Sequence, residues 1–180
     1  MKKIISLLII TISLSTQAQV QSVNLQASGL TCSMCSNAIN KALKTIPYVD
    51  KVMANIRNSS FEITFKPGSQ VNFDDLKNKV EDAGFSVAGL DAVVDFNNTA
   101  ITNDEHINIG GMYLHFINVT DQALSGTRTI KILDKGFVSP KEYKKNARYT
   151  KMECYKTGVA GSCCTKSGLA AGTRVYHVTI

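Results

Sequence analysis

The sequence predicts an α+β fold of element order βαββαβ, followed by a smaller β-rich unit. Three observations predict it. Over residues 20–95 the apolar spacing switches repeatedly between a period of two and a helical period. A Cys-x-x-Cys pair, Cys32 and Cys35, falls where the first alternating run gives way to the first helical one. From Phe96 to Glu105 the chain turns polar and Asn-rich, and the runs beyond it are heavy in β-branched and aromatic residues.

Each element has its own signal. Val23, Leu25 and Ala27 alternate with polar residues, as a half-buried strand requires. Ile39, Ala42, Leu43 and Ile46 recur at helical spacing, and Pro47 stops that helix. Val52, Ala54 and Ile56 alternate, as do Phe61, Ile63 and Phe65, and the polar link Arg57-Asn58-Ser59-Ser60 joins them as a hairpin. Asn72 is placed to cap a second helix that buries Phe73, Leu76 and Val80 and stops at Gly84. Phe85, Val87 and Val93 belong to a last strand. The result is a split-βαβ sandwich, two helices on one face of an antiparallel sheet.

Residues 96–105 read as a linker between this unit and residues 106–180. Beyond it, the runs 107–119, 127–138 and 174–180 read as strands, and Ser139-Pro140-Lys141-Glu142 opens one or two turns of helix with Pro at a first position. A small open barrel of the oligonucleotide/oligosaccharide-binding (OB) type, or a two-sheet sandwich, is the expected architecture of the second unit.

The Cys32–Cys35 pair carries the chemistry. At i and i+3, in a loop feeding the first turn of a helix, the two sulfurs lie close together. The partial positive charge of the helix start favours thiolate over thiol, which raises nucleophilicity and metal affinity together. Thiolates are soft ligands and select thiophilic cations such as Cu(I) over hard ones. The main rival reading is thiol–disulfide chemistry.

The stretch Gly29-Leu30-Thr31-Cys32-Ser33-Met34-Cys35, with Asp82-Ala83-Gly84-Phe85 before the last strand, resembles the heavy-metal-associated domain. That family includes copper chaperones, copper-ATPase N-terminal repeats and the periplasmic mercury-binding protein. The resemblance covers residues 20–95 and implies a ferredoxin-like fold with metal held by Cys32 and Cys35. The family usually has Met where Leu30 stands, as a packing residue under the loop, so Leu is a volume-conserving swap. By the same resemblance Phe85 packs beside the metal loop, and Phe at that position leans towards copper. Gly29 allows the backbone path of the loop, and Thr31 shapes it or caps the helix.

Met1-Lys2-Lys3, the apolar run from Ile4 to Leu14 and the small residues around Ala18 read as a signal peptide over residues 1–18. The mature protein is therefore expected to be periplasmic or secreted, without a membrane span. In an oxidising compartment the distal cysteines, Cys154, Cys163 and Cys164, have three readings. Cys154 pairs with one of the vicinal two as a staple; two or three thiolates form a second soft-metal site, with Met152 as a further donor; or the group relays electrons to Cys32 and Cys35. With five cysteines in all, at least one thiol is left over if the others pair. His115 and His177 read as packed or hydrogen-bonded strand residues, since an isolated His carries no ligand spacing. His106 reads as a linker residue capable of weak adventitious binding. Met34, between the two cysteines, reads as an exposed residue that touches a docking partner.

The formal charge of +6 is unevenly spread: about −1 over residues 20–95 and about +5 over 96–180. Lys141, Lys144, Lys145 and Arg148 read as a solvated face, and nucleic acid is not an expected partner outside the cytoplasm. The chain has no nucleophile elbow, zinc-protease motif or P-loop, so an enzyme is not expected. The reading is an exported Cu(I) carrier or scavenger that exchanges metal with a partner protein, with Hg(II) or Zn(II) as other ions the same thiolates accept. A mercury scavenger and a periplasmic thiol–disulfide protein are the alternatives. Two such loops could also share one ion in a metal-bridged dimer.

Overall fold

Strand and helix alternate as the apolar periods demand. The computed structural model describes residues 19–30 and 32–180. The signal peptide read over residues 1–18, and Thr31, lie outside the described residues. Strand β1 (Gln19–Ser28) leads to helix α1 (Ser33–Lys44), the hairpin β2 (Val49–Asn55) and β3 (Ser60–Phe65), helix α2 (Phe73–Asp82) and strand β4 (Ser86–Ile101). Helix α1 buries Ile39 and Leu43, one turn apart, and carries Lys41 and Lys44 in its last turn, where cations complement the helix dipole. Helix α2 is capped by Asn72, whose Oδ1 accepts from the Asp74 N–H at 2.9 Å, and it buries Phe73, Leu76 and Val80. Gly84, at φ +86°, ends it in the left-handed region that favours glycine. On the sheet, Leu25 stands opposite Phe61 of β3 and Leu90 of β4, so the inward face of β1 is apolar along its length.

The second half continues the same sheet. β5 (Glu105–Ile109) and β6 (Met112–Phe116) form a hairpin, followed by β7 (Gln122–Ile132), α3 (Pro140–Asn146), α4 (Cys154–Thr157), a 3₁₀ turn (Ser162–Ser167) and β8 (Val175–Thr179). The eight strands form one open sheet of order β2-β3-β1-β4-β7-β8-β6-β5, antiparallel except for the β6–β8 pair. The expectation of an OB-like barrel is corrected: the strands add in a row to the free edge of β4, and the ends of that row do not pair.

The linker expected over residues 96–105 is corrected as well. β4 runs on to Ile101, pairing β1 through Gln19–Ser28 and β7 through Asp91–Ile101. The polar Asn97-Asn98-Thr99 is a bulge in this strand, with Asn98 at φ +46°, and the register shifts between Phe96 and Thr99. A bulge needs polar residues that tolerate positive φ, which is why it resembles a linker in composition. The run 107–119 is a hairpin turning at Gly110-Gly111, both at positive φ, rather than one strand. Ser139 caps α3 by accepting from the Glu142 N–H, with Pro140 at the first position as expected.

A single apolar core runs beneath both halves, from Val23, Ile39 and Phe61 to Phe116, Phe137 and Val178. Each large side chain buried there contributes roughly 1.5–3 kcal/mol relative to exposure. A separate, small cluster holds Cys154, Ala160, Cys164, Leu169 and Val175. Among the described residues no helix is long and apolar enough to cross a membrane.

Candidate metal centre

The loop after β1 is fixed on both sides. Ser28 and Ser86 are the last paired positions of β1 and β4, and the Ser28 hydroxyl donates to the Ser86 carbonyl at 3.2 Å. Gly29 then takes φ +81°, a conformation costly to any residue with a Cβ. Leu30 and Phe85, both half-buried, pack on the core beneath the loop. A Cβ placed on Gly29 would lie 4.0 Å from Phe85 Cδ1, so the aromatic ring stands directly against the turn.

Cys32, in extended conformation, is itself the N-cap of α1: its Sγ accepts from the Cys35 N–H at 3.4 Å. Capping was one role expected of Thr31; a cysteine sulfur fills it. The two sulfurs stand 2.9 Å apart. Cys32 is exposed and Cys35 half-buried. Hydrogen bonds from the Cys35 thiol and from the backbone N–H groups of Cys35 and Met34 hold the Cys32 thiol below its usual range, against a small opposing effect of burial. Met34 is 81% exposed, on the outer side of the same turn. The pocket beside this loop is lined by Asn24, Gln26, Gly29, Arg57, Asn58 and Ser59. It is a shallow polar surface, and the sulfurs do not line it.

The geometry is an accessible dithiol on a helix start, backed by an apolar wall. The family model of the heavy-metal-associated domain matches residues 13–86. The N-terminal unit belongs to the heavy-metal-associated family. A probable copper-transporting ATPase, HMA5 of Arabidopsis thaliana, is 33% identical over 63 residues, which are 35% of this chain and 6% of the ATPase. The chain thus spans a small fraction of that relative's length. Among solved structures, the CopZ metallochaperone is 27% identical, covers 37% of this chain and 98% of its own, and superposes with a TM-score of 0.35. Oxidised MerP of Ralstonia metallidurans CH34 is 30% identical, covering 38% of this chain and 97% of its own, with a TM-score of 0.35. The N-terminal unit is therefore a heavy-metal-associated domain, and its βαββαβ order is that of a ferredoxin-type fold.

Outside the heavy-metal-associated domain, Cys154, Cys163 and Cys164 meet as a group, their sulfurs all within 4.8 Å of one another. None of the three forms a disulfide in this structure. Cys163 Sγ lies 3.4 Å from Cys164 Sγ; Cys154 and Cys164 are buried, and Cys163 sits at the rim. The segment read as a loop is a short helix and a 3₁₀ turn, which bring the three thiols together. Burial pushes the thiols of Cys154 and Cys164 up, so each stays protonated unless a cation joins it. At Cys163 burial is outweighed by the Cys154 N–H and by sulfur hydrogen bonds, and the thiol is lowered.

Sequence reasoning missed the histidines of this group. His106, read as a linker residue with adventitious affinity, is a strand residue of β5. His115, read as a packed strand residue, is its cross-strand partner on β6. Their rings stack at 4.4 Å between centroids, and both face Cys154. The signal was present: the two histidines are equidistant from Gly110-Gly111, and a hairpin turning there makes them partners. Burial, with the neighbouring His177 and His106, pushes His115 down to about 3, so its imidazole is neutral. His177 is the packed residue expected, buried and hydrogen-bonded through Nδ1 to Asp134 Oδ1 at 2.5 Å.

Proposed function

We propose that this protein is an exported Cu(I) carrier that holds one ion between Cys32 and Cys35 and hands it to a partner protein by ligand exchange. The observation that carries the reading is the pair of sulfurs 2.9 Å apart on an exposed helix start, with the Cys32 thiol lowered. Two thiolates satisfy a soft monovalent ion while leaving it open to attack by a third. An incoming partner thiolate adds to the ion, one of the two cysteine sulfurs leaves and takes up a proton, and no electron changes hands. Phe85 and Leu30 keep the base of the loop apolar, which excludes harder, hydrated ions. The relative named as a copper-transporting ATPase supports copper as the cargo.

The leader-like residues 1–18 support export, and the exposed dithiol supports binding rather than catalysis. The partner is a protein carrying its own soft ligands, not nucleic acid. An anaerobic Cu(I) titration of the reduced mature chain against a strong Cu(I) competitor tests the reading, alongside the Cys32→Ser/Cys35→Ser variant. Tight copper that the double variant loses supports it. Copper held no better than by the variant refutes it, and repeating the titration with Hg(II) and Zn(II) assigns the ion.

A further inference from the structure

The segment from Ala147 to Arg174 is tied to the rest of the chain at Tyr155, through its buried ring and its hydroxyl, and at Arg174, through Asp74 and Asp134, and is mostly irregular between them. It contains four residues of α-helix and one 3₁₀ turn, and its own apolar cluster is the handful of residues around Cys154 and Cys164. Two of those cluster members are cysteines whose sulfurs lie within 4.8 Å of one another and also within reach of an imidazole. Cys154 Sγ lies 3.6 Å from His106 Nε2 and 3.8 Å from His115 Nδ1, and Cys164 Sγ lies 3.4 Å from the same His106 nitrogen. A four-coordinate ion with Zn–S bonds near 2.3 Å and Zn–N bonds near 2.0 Å has donor–donor edges of about 3.3–3.8 Å. These three sulfur–nitrogen spacings fall in that range.

The outward nitrogens complete the pattern. His115 Nε2 donates to Asp104 Oδ1 at 2.9 Å, which leaves Nδ1 as the lone-pair nitrogen facing the sulfurs. His106 Nδ1 lies 3.3 Å from the Ser167 hydroxyl, which can accept its proton when Nε2 acts as the lone-pair nitrogen. Ligating histidines are held this way by a partner on the far ring nitrogen, which fixes both tautomer and ring plane. Asp104 sits at φ +62°, a left-handed conformation that Asp tolerates, in the turn before β5, and its carboxylate reaches His115. Packing alone gives no reason for this alignment of four donors from β5, β6, α4 and the 3₁₀ turn.

We propose that His106 Nε2, His115 Nδ1, Cys154 Sγ and Cys164 Sγ form a second, closed site for Zn(II), separate from Cys32 and Cys35. Two thiolates and two neutral imidazoles suit a tetrahedral d¹⁰ ion without redox chemistry. Four ligands from the chain leave no open position, so the ion staples the 147–174 segment to the β5–β6 hairpin rather than travelling. Binding releases the two thiol protons to solvent, and both sulfurs stay reduced because they are ligated. Cys163, at the rim, is not one of the four.

The test uses the full mature chain carrying Cys32→Ser and Cys35→Ser, so failure of the carrier reading cannot affect it. Purified from zinc-containing medium, this variant retains one equivalent of zinc by elemental analysis. Replacement with Co(II) gives the thiolate charge-transfer and intense visible bands of a tetrahedral site. Cys164→Ser abolishes the equivalent. Because a buried change can disturb folding, His106→Gln and Asp104→Asn, both nearer the surface, are made beside it. His106→Gln changes the Co(II) spectrum with circular dichroism preserved, and Asp104→Asn weakens zinc by about 10–100-fold. No zinc in the parent variant, an unaltered Co(II) spectrum in folded His106→Gln, occupancy by Cu(I) alone, or a mass showing a disulfide among Cys154, Cys163 and Cys164 would each overturn the proposal.

Discussion

Arg174 Nε donates to Asp74 Oδ2 at 2.6 Å, joining the approach to the last strand to the first turn of the second helix, 100 residues earlier in the chain. Its Nη2 reaches Asp74 Oδ1 at 3.3 Å and Asp134 Oδ2 at 3.1 Å, and its guanidinium lies 4.0 Å over the Tyr176 ring. The Tyr176 hydroxyl donates to Asn72 Oδ1 at 2.7 Å, and its ring meets Phe73 edge-on at 5.0 Å. The helix cap of the metal-binding domain is thus tied to the C-terminal strand. The forked guanidinium suits this role because it serves two carboxylates and a π face at once.

Arg174→Ala leaves Asp74 and Asp134 without that partner, one of them buried, and should cost about 1–3 kcal/mol. Thermal unfolding measures it. The pH dependence carries a sign. Burial raises the Asp74 pKa, but the Arg174 hydrogen bond and charge outweigh it, so the folded value lies below the unfolded 3.8. Stability from this pair is present above the unfolded value and is lost as pH falls below it through the folded one. The stabilities of the parent and Arg174→Ala should therefore converge in acid. A gap that holds constant to the lowest pH at which the chain stays folded would remove Asp74 from the account.

Ile130→Ala tests whether the sheet and core act as one. Ile130 is fully buried and stands opposite Ala92 of β4, where the two halves meet. Truncation there should cost about 2–5 kcal/mol. Because the core is continuous, amide protection should fall in β1 of the metal-binding domain as well as in β7 and β8. Loss confined to β7 and β8 would show that the halves unfold separately.

The first half of the fold was legible because every element has its own signal. Leu25, Ile39, Phe61 and Leu76 lie at the right periods, and Asn72 and Gly84 mark boundaries that the structure places within a residue or two. The second half was not legible, for physical reasons. Strand addition to a free edge leaves no local mark, since the β4–β7 pairing is specified by residues such as Val94 and Arg128, far apart in sequence. The polar bulge at Asn97-Asn98 has the composition of a linker. Of the two candidate centres, Cys32 and Cys35 were readable because both ligands sit on one loop. Around Cys154, the groups His106–His115–Cys154 and Cys154–Cys163–Cys164 come from four elements; the cysteines were singled out in the sequence, but only the Gly110-Gly111 symmetry hinted at the histidines.

Gly29→Ala should separate loop geometry from loop space. A Cβ there meets nothing closer than 4.0 Å, so no clash arises, but an L-residue at φ +81° costs about 1–2 kcal/mol. Stability should fall by that amount at most. Cu(I) affinity should fall too, because the loop relaxes by turning Cys32 away from the α1 start. Competitive Cu(I) titration read beside thermal unfolding checks both. An unstrained, fully competent Gly29→Ala would mean that the loop backbone does not set the sulfur geometry.

Met34 separates holding the ion from handing it on. It lies between the two ligands in sequence yet points outward, 81% exposed, while Ser36 and Ile39 on the next turn are buried. A large apolar side chain kept in water beside a metal loop stabilises nothing in the folded chain alone. A flexible thioether at this place adapts well to a partner surface, in line with the carrier proposed above. Met34→Ala should therefore leave Cu(I) affinity and unfolding temperature unchanged, while slowing copper transfer to an acceptor domain that bears a dithiol of its own. Stopped-flow transfer, measured against the affinity of the same variant, distinguishes the two roles. Slower transfer at constant affinity places Met34 in the docking surface, whereas weaker binding at constant transfer places its sulfur on the ion.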